Sequence, residues 1–250
     1  MENNYNLGLV SISFRQNTPE EILEAMKKSG LSYIEWGSDV HAPYTDKERL
    51  YEIRAMMDEY GIKCSSYGTY FRFLETPTEE LAGYIEAAKI LGTDILRLWC
   101  GRKNGAVLST ARKEQLFEEC RKAEKIAREH GVKLCMECHK NTFTERLEDA
   151  LLLMEKMNSP HFLMYWQPFV ALSPEENLKI AKALAPYVTH LHVFHWVEGE
   201  RLSLFDGIGV WREYLKEFST PRTLLLEFMP DNSIDSLPRE ADALRKLTEA

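Results

Sequence analysis

A single recurring pattern constrains this chain more than any bulk property. "MKKSGLSYIEW", "MDEYGIKCSSY", "KILGTDILRLW" and "AREHGVKLCME" each join a helix tail to a short apolar run through one glycine: Gly30, Gly61, Gly92 and Gly131. Glycine just past a helix accepts the left-handed backbone that closes it, so each marks a helix end with a strand to follow. Helix starts are marked as well. Thr18-Pro19-Glu20-Glu21, Thr76-Pro77-Thr78-Glu79 and Ser173-Pro174-Glu175-Glu176 each set a hydroxyl N-cap before proline and glutamate, the signature of a capping box. Thr45 to Glu48 gives a fourth start without the proline.

Between these marks the sequence predicts strands near 7–13, 31–36, 62–67, 94–99, 132–138, 162–167, 188–194 and 222–228. Helices fill the intervals, near 19–29, 46–60, 77–91, 108–130, 144–157, 174–185, 208–218 and 235–248. Strict alternation calls for parallel strands joined by crossover helices. Eight such units in 250 residues close into a (β/α)8 barrel more naturally than an open sheet. No low-complexity or Pro/Gly/Ser-rich linker breaks the series. The expectation is an α/β fold, a single-domain (β/α)8 TIM barrel spanning residues 1–250.

The stretch "VKLCMECH" contains C-x-x-C-H, a haem-attachment pattern. Strand alternation argues against that use. Val132, Leu134, Met136 and Cys138 fall on one face, Lys133, Cys135, Glu137 and His139 on the other, so the two cysteines cannot reach one haem together. The opening "MENNYNLGLVSISF" lacks a basic stretch followed by a long apolar run, and five cysteines form no disulfide framework, so a reducing, cytoplasmic setting is expected. No apolar run is long enough to span a membrane. A net charge of −8 counts against a nucleic-acid partner.

In a barrel the outward face of each strand is apolar and the inward face near the C-terminal mouth carries chemistry. By that test Glu137 and His139 face in. In "THLHVFHW", Leu191 and Val193 face out, and His190, His192 and Phe194 face in. In "TLLLEFM", Leu224, Leu226 and Phe228 face out, leaving Leu225, Glu227 and Met229 inside. In "FLMYWQP", Tyr165 and Gln167 face in. Glu137, Gln167, His192 and Glu227 should therefore meet on one side of the mouth. Two carboxylates, an imidazole and an amide oxygen make a mostly hard ligand set that suits Mn²⁺ or Mg²⁺, with Zn²⁺ as an alternative.

At these residues the sequence resembles the xylose-isomerase-like barrel superfamily, in particular its sugar phosphate isomerase/epimerase branch. The resemblance runs from "LGLVSISF…IEWGSDVHAP" to "LLLEFMP". It implies a divalent cation held by glutamate on strand five, aspartate on six, histidine on seven and glutamate on eight. Glu137, His192 and Glu227 match three of these positions. Gln167 stands where the family has aspartate, and Val170 where it tends to have histidine. The ligand set thus carries one negative charge fewer, which weakens cation affinity. The resemblance further implies aldose–ketose isomerisation or ketose epimerisation through an enediolate, with Glu137 and Glu227 exchanging the proton as base and acid.

Other inward or loop residues are candidates for substrate contact. His41, in "GSDVHAPY", and His139 suit sugar hydroxyls. Arg97 suits an anionic substituent or a salt bridge to an inward carboxylate such as Glu35. Trp99 and Trp196 suit the apolar face of a sugar. The substrate expected is a small sugar or related polyol, with no nucleic acid and no membrane; homo-oligomerisation is left open. Two other readings use the same residues. One is a non-catalytic carbohydrate-binding protein with a decayed metal site, suggested by Gln167 and Val170. The other is an apurinic-site endonuclease, disfavoured by the acidic balance and the absent strand-six aspartate.

Overall fold

A computed structural model describes residues 5–220 and 222–249. Its strands are β1 (Asn6–Val10), β2 (Tyr33–Gly37), β3 (Lys63–Arg72), β4 (Ile95–Trp99), β5 (Lys133–Glu137), β6 (Phe162–Trp166), β7 (Val188–Val193), the short pair β8 (His195–Val197) and β9 (Glu200–Leu202), and β10 (Thr223–Leu226). All except β8 and β9 run parallel and hydrogen-bond into a closed barrel, in the order β1-β10-β7-β6-β5-β4-β3-β2. The helices are α1 (Pro19–Lys28), α2 (Lys47–Tyr60), α3 (Leu81–Leu91), α4 (Thr110–His130), α5 (Leu147–Met157), α6 (Pro174–Leu184), α7 (Leu204–Lys216) and α8 (Leu237–Thr248). Eight strands and eight helices in alternation form one (β/α)8 barrel.

The punctuation read from the sequence does its expected work at most positions. Gly30, Gly61, Gly92 and Gly131 all take positive φ, between 68° and 84°. Thr18 and Glu21 form a reciprocal capping box at α1, as do Ser173 and Glu176 at α6. Two expectations fail for a local reason. The Thr76 hydroxyl is taken by the preceding turn, accepting from the Arg72 N–H at 3.1 Å. Thr78–Glu80 is a 3₁₀ turn and α3 begins at Leu81. At α2 the cap is Asp46 rather than Thr45; its carboxylate accepts from the Arg49 N–H at 3.0 Å.

Strand alternation sorts two cores. Outward residues such as Leu134, Met136, Leu191, Val193 and Leu224 join a large layer between sheet and helices. Val10, Cys135, Tyr165 and Leu225 fill the barrel interior. Cys135 and Cys138 lie in different cores, which disposes of the haem pattern. One side-chain assignment is corrected. Phe228 takes φ +59°, which breaks the alternation after β10. Its ring therefore swings to the mouth, and Met229, expected inside, packs into the outer core instead.

The β8–β9 hairpin was not foreseen. Glu198 and Gly199, both with positive φ, make its two-residue turn, a conformation whose twist suits a tight hairpin. Among the described residues no helix is long and apolar enough to cross a membrane. The first four residues of the opening stretch, read above for a leader, lie outside the described residues.

Candidate active site

The C-terminal ends of the strands surround a cavity of about 1010 Å³. Its floor is polar and fully buried. Arg97, from β4, donates from Nε to Glu35 Oε1 at 2.8 Å and from Nη1 to Glu137 Oε2 at 2.7 Å. Gly68 makes this possible: a Cβ there would lie 2.7 Å from both Arg97 Nη2 and Glu35 Oε1. Glu35 also accepts from the Ser66 hydroxyl at 3.0 Å.

His192, from β7, stands among three carboxylates. Nε2 lies 3.6 Å from Glu35 Oε1, and Nδ1 lies 3.6 Å from both Glu137 Oε1 and Glu227 Oε2. Gln167, just past β6, donates from Nε2 to Glu137 Oε1 and to the Cys138 carbonyl, each at 3.0 Å. Both neighbours are acceptors, so chemistry dictates that the amide nitrogen faces them.

These contacts drive the two outer glutamates apart in acidity. Burial opposes ionisation of Glu137, but the Arg97 guanidinium and the His192 imidazole outweigh it and hold the carboxyl down to about 2. Glu227 has no such clamp. Burial pushes it up to about 7, with the Glu137 charge adding to the rise and His192 working against it. Burial would strip the proton from His192, yet Glu227, Glu137 and Glu35 together raise the imidazole to about 10. Burial disfavours Glu35 ionisation too, but Arg97 and His192 hold it well below the ordinary carboxylate range. Thus one acid is held ionised while its neighbour is poised near neutrality.

Above this floor the walls are aromatic. Tyr70 meets Trp99 edge-on at 5.2 Å, and His139 lies 5.6 Å from the same indole. On the other side Trp196 packs 5.5 Å from Phe194 and 5.4 Å from Phe228. Arg201 of β9 covers both Trp196 and Phe228, at 5.0 and 4.5 Å.

The structure brings Glu137, Gln167, His192, Glu227 and Arg97 together, and sets Trp99, His139 and Trp196 in the wall. One expectation needs correction. His41 does not line the cavity: its Nδ1 lies 3.1 Å from the Ser11 hydroxyl and its Nε2 3.2 Å from the Asn17 carbonyl, so it ties down the loop after β2. The expected ligand quartet Glu137, Gln167, His192 and Glu227 converges, with its donors and acceptors turned toward one another, while Gln167 Oε1 and both His192 ring nitrogens are buried without a hydrogen-bond partner among the described residues. Both Glu137 oxygens already accept N–H donors, and Gln167 presents its nitrogen. Among the described residues no group of three or more His, Cys, Asp or Glu side chains has the geometry to hold a metal ion.

Sequence reading named Glu35 only as a partner for Arg97 and left out several wall residues, among them Arg15, Tyr70, Phe169 and Phe228. The inward placement of Glu35 and its pairing with Arg97 are as expected, and the second pairing of Arg97 with Glu137 is what the sequence did not show. Tyr70 lies beyond the expected end of β3, and Phe228 was hidden by its left-handed backbone.

Closed barrel, polar floor at the strand ends and mouth loops define a (β/α)8 barrel with a carboxylate-centred site. Residues 23–247 match the xylose isomerase-like TIM barrel family, and the chain belongs to it. A curated relative, the 3-dehydroshikimate dehydratase of Bacillus anthracis, is 24% identical over 95% of each chain. The crystal structure of a probable 3-DHS dehydratase from the same organism superposes with a TM-score of 0.79 at 18% identity, covering 96% of this chain and 98% of the other. D-psicose 3-epimerase of Clostridium cellulolyticum H10, solved with D-tagatose, gives 0.74 at 14% identity over 98% and 100% of the two chains. A xylose isomerase-like protein of Mycobacterium smegmatis in complex with magnesium gives 0.73 at 13% identity over 99% of each.

Proposed function

We propose that the chain is an enzyme that moves a proton on the carbon next to a carbonyl of a small hydroxylated substrate, a sugar or related polyol, as an isomerase or epimerase does. The observation that carries this reading is the unequal pair: Glu137 accepts from Arg97 and Gln167, Glu227 accepts from no donor among the described residues and burial raises its pKa, and both lie 3.6 Å from one imidazole nitrogen. A base whose pKa lies near the working pH transfers protons most effectively.

In this reading Glu227 takes the proton from the carbon, and the electron pair moves into the carbonyl to give an enediolate. Arg97 and the imidazolium of His192 supply fixed positive charge in a dry site, where such charge stabilises a developing oxyanion most strongly. Glu227 then returns the proton to the adjacent carbon from the same face, while the hydroxyl beside it passes its proton to the first oxygen, which completes an aldose–ketose isomerisation. An epimerisation returns the proton to the same carbon from the opposite face and needs a second donor there. Glu137, kept ionised by Arg97, holds the guanidinium in place. The symmetric exchange between two glutamates implied by the family resemblance would require Glu137 to gain a proton against that clamp, so the geometry favours Glu227 as the carrier. His139, Trp99 and Trp196 are suited to orient the substrate's hydroxyls and apolar face.

A second reading shares the first step. On a substrate with a hydroxyl one carbon further on, the enolate expels that hydroxyl: the C–O bond breaks, a C=C bond forms, and the proton held by Glu227 leaves with the hydroxyl as water. The full-length similarity to a dehydratase favours this variant. A panel of aldoses, ketoses and cyclic hydroxy ketones separates the two, with isomers resolved by chromatography and water loss followed by ultraviolet absorbance. Turnover in either arm that disappears in Glu227→Gln supports the proposal. No turnover in any arm, or turnover untouched by Glu227→Gln, contradicts it.

A further inference from the structure

A magnesium-bound relative shares this barrel, yet the floor of the present cavity already carries its own positive charge. Arg97 is bonded to Glu35 and Glu137 at once, through two different nitrogens. It cannot swing aside freely. Its guanidinium lies over the bare backbone of Gly68 and 5.0 Å from the Trp99 ring. A cation approaching Glu137 would have to displace a donor from each of its oxygens, Arg97 from Oε2 and Gln167 from Oε1.

Gln167 is a donor for a structural reason. Its nitrogen is pinned between the Glu137 carboxylate and the Cys138 carbonyl, so turning the amide to offer oxygen would set it against two acceptors. An aspartate at this position could offer only acceptors, as a cation requires. Further out, the exposed Val170 lines the cavity with an apolar side chain that offers no ligand atom. His192 faces carboxylates through both ring nitrogens. At 3.6 Å these contacts are ion-pair distances rather than hydrogen bonds, and both ring nitrogens are buried without a hydrogen-bond partner among the described residues.

We infer that Arg97, locked between Glu35 and Glu137, supplies the positive charge that a divalent cation would otherwise supply, and that this site works without a bound metal. The part of the inference that speaks of work rests on the proposed proton transfer; the absence of cation binding stands on the resting protein alone.

The test is made without substrate. The full chain is purified, analysed for metals as isolated, treated with EDTA, and titrated calorimetrically with Mn²⁺ and with Mg²⁺, and its thermal midpoint is measured with and without each ion. The expected result is no stoichiometric metal, no saturable heat and no shift of the midpoint. The double substitution Arg97→Met with Gln167→Asp should create Mn²⁺ binding about tenfold or more tighter than any trace in the parent, and the midpoint should then rise with Mn²⁺. Gln167→Asp alone serves if the double variant does not fold, with the same direction and smaller size. Saturable binding of one Mn²⁺ per parent chain, weakened by Glu227→Gln, would overturn the inference. No substrate enters these titrations, so a failure to find the proposed reaction leaves their outcome unaffected.

Discussion

Glu137 and Glu227 are the same residue type at the same distance from the same nitrogen, and the difference between them is that Arg97 and Gln167 donate to Glu137 alone. Replacing Glu227 by glutamine removes the proton carrier and should lower kcat by about 10²–10⁴-fold with the fold retained, as circular dichroism and steady-state rates would show. The pH profile of the parent gives a second check. A base pushed up to about 7 loses its activity as the pH falls below that value, so kcat/KM should rise with pH through a limb near 7. The Glu137 charge helps to raise Glu227, so Glu137→Gln should move that limb to lower pH, whatever it does to the maximum rate. Gly68→Ala tests the floor directly. Its new Cβ would meet Arg97 and Glu35 at 2.7 Å, and overpacking of this kind costs about 1–3 kcal/mol, readable in a denaturant titration. At this scale the sequence revealed which charges face inward, because alternation is a local rule. It did not reveal their pairing, because Arg97 could reach Glu35, Glu137 or the substrate, and only the space above Gly68 decides among them.

Elements were legible where their ends carry chemistry of their own. The left-handed glycines closed their helices, and the hydroxyl–proline–glutamate starts of α1 and α6 hold. Thr18→Ala should therefore cost about 1 kcal/mol, seen as a lowered thermal midpoint. The Thr76 start failed because a neighbouring turn competed for the same hydroxyl, and no pattern in the sequence ranks two claims on one side chain. The β8–β9 hairpin was missed for a different reason. Its strands are too short to show alternation, and its signal is the Glu198-Gly199 turn alone. That hairpin brings Trp196 and Arg201 over the mouth. Gly199→Val places a branched residue at φ +88°, which should loosen the turn and raise KM more than it lowers kcat.

The whole molecule was legible because eight repeats of one unit leave few closed solutions, and a barrel gathers its strand ends at a single mouth. Its buried charges make its stability depend on pH in a defined direction. His192 rises from an ordinary 6.5 to about 10, so its contribution is full below 6.5 and is lost as the pH climbs toward 10. Glu137 falls from 4.5 to about 2, so its contribution is present above 4.5 and is lost on acidification toward 2. Glu227, raised from 4.5 to about 7, favours the folded state while protonated and weakens it across that interval. The thermal midpoint should thus be higher near pH ~5 than near pH ~9. A midpoint that rises over that range would mean that the imidazole is not held charged among these acids. The central claim, that Glu227 removes a proton from carbon, is tested most directly by exchange in heavy water. Candidate substrates incubated with the protein in D₂O should gain deuterium next to the carbonyl, visible as loss of that proton signal, and Glu227→Gln should stop the exchange. Exchange that continues undiminished in Glu227→Gln would contradict the account.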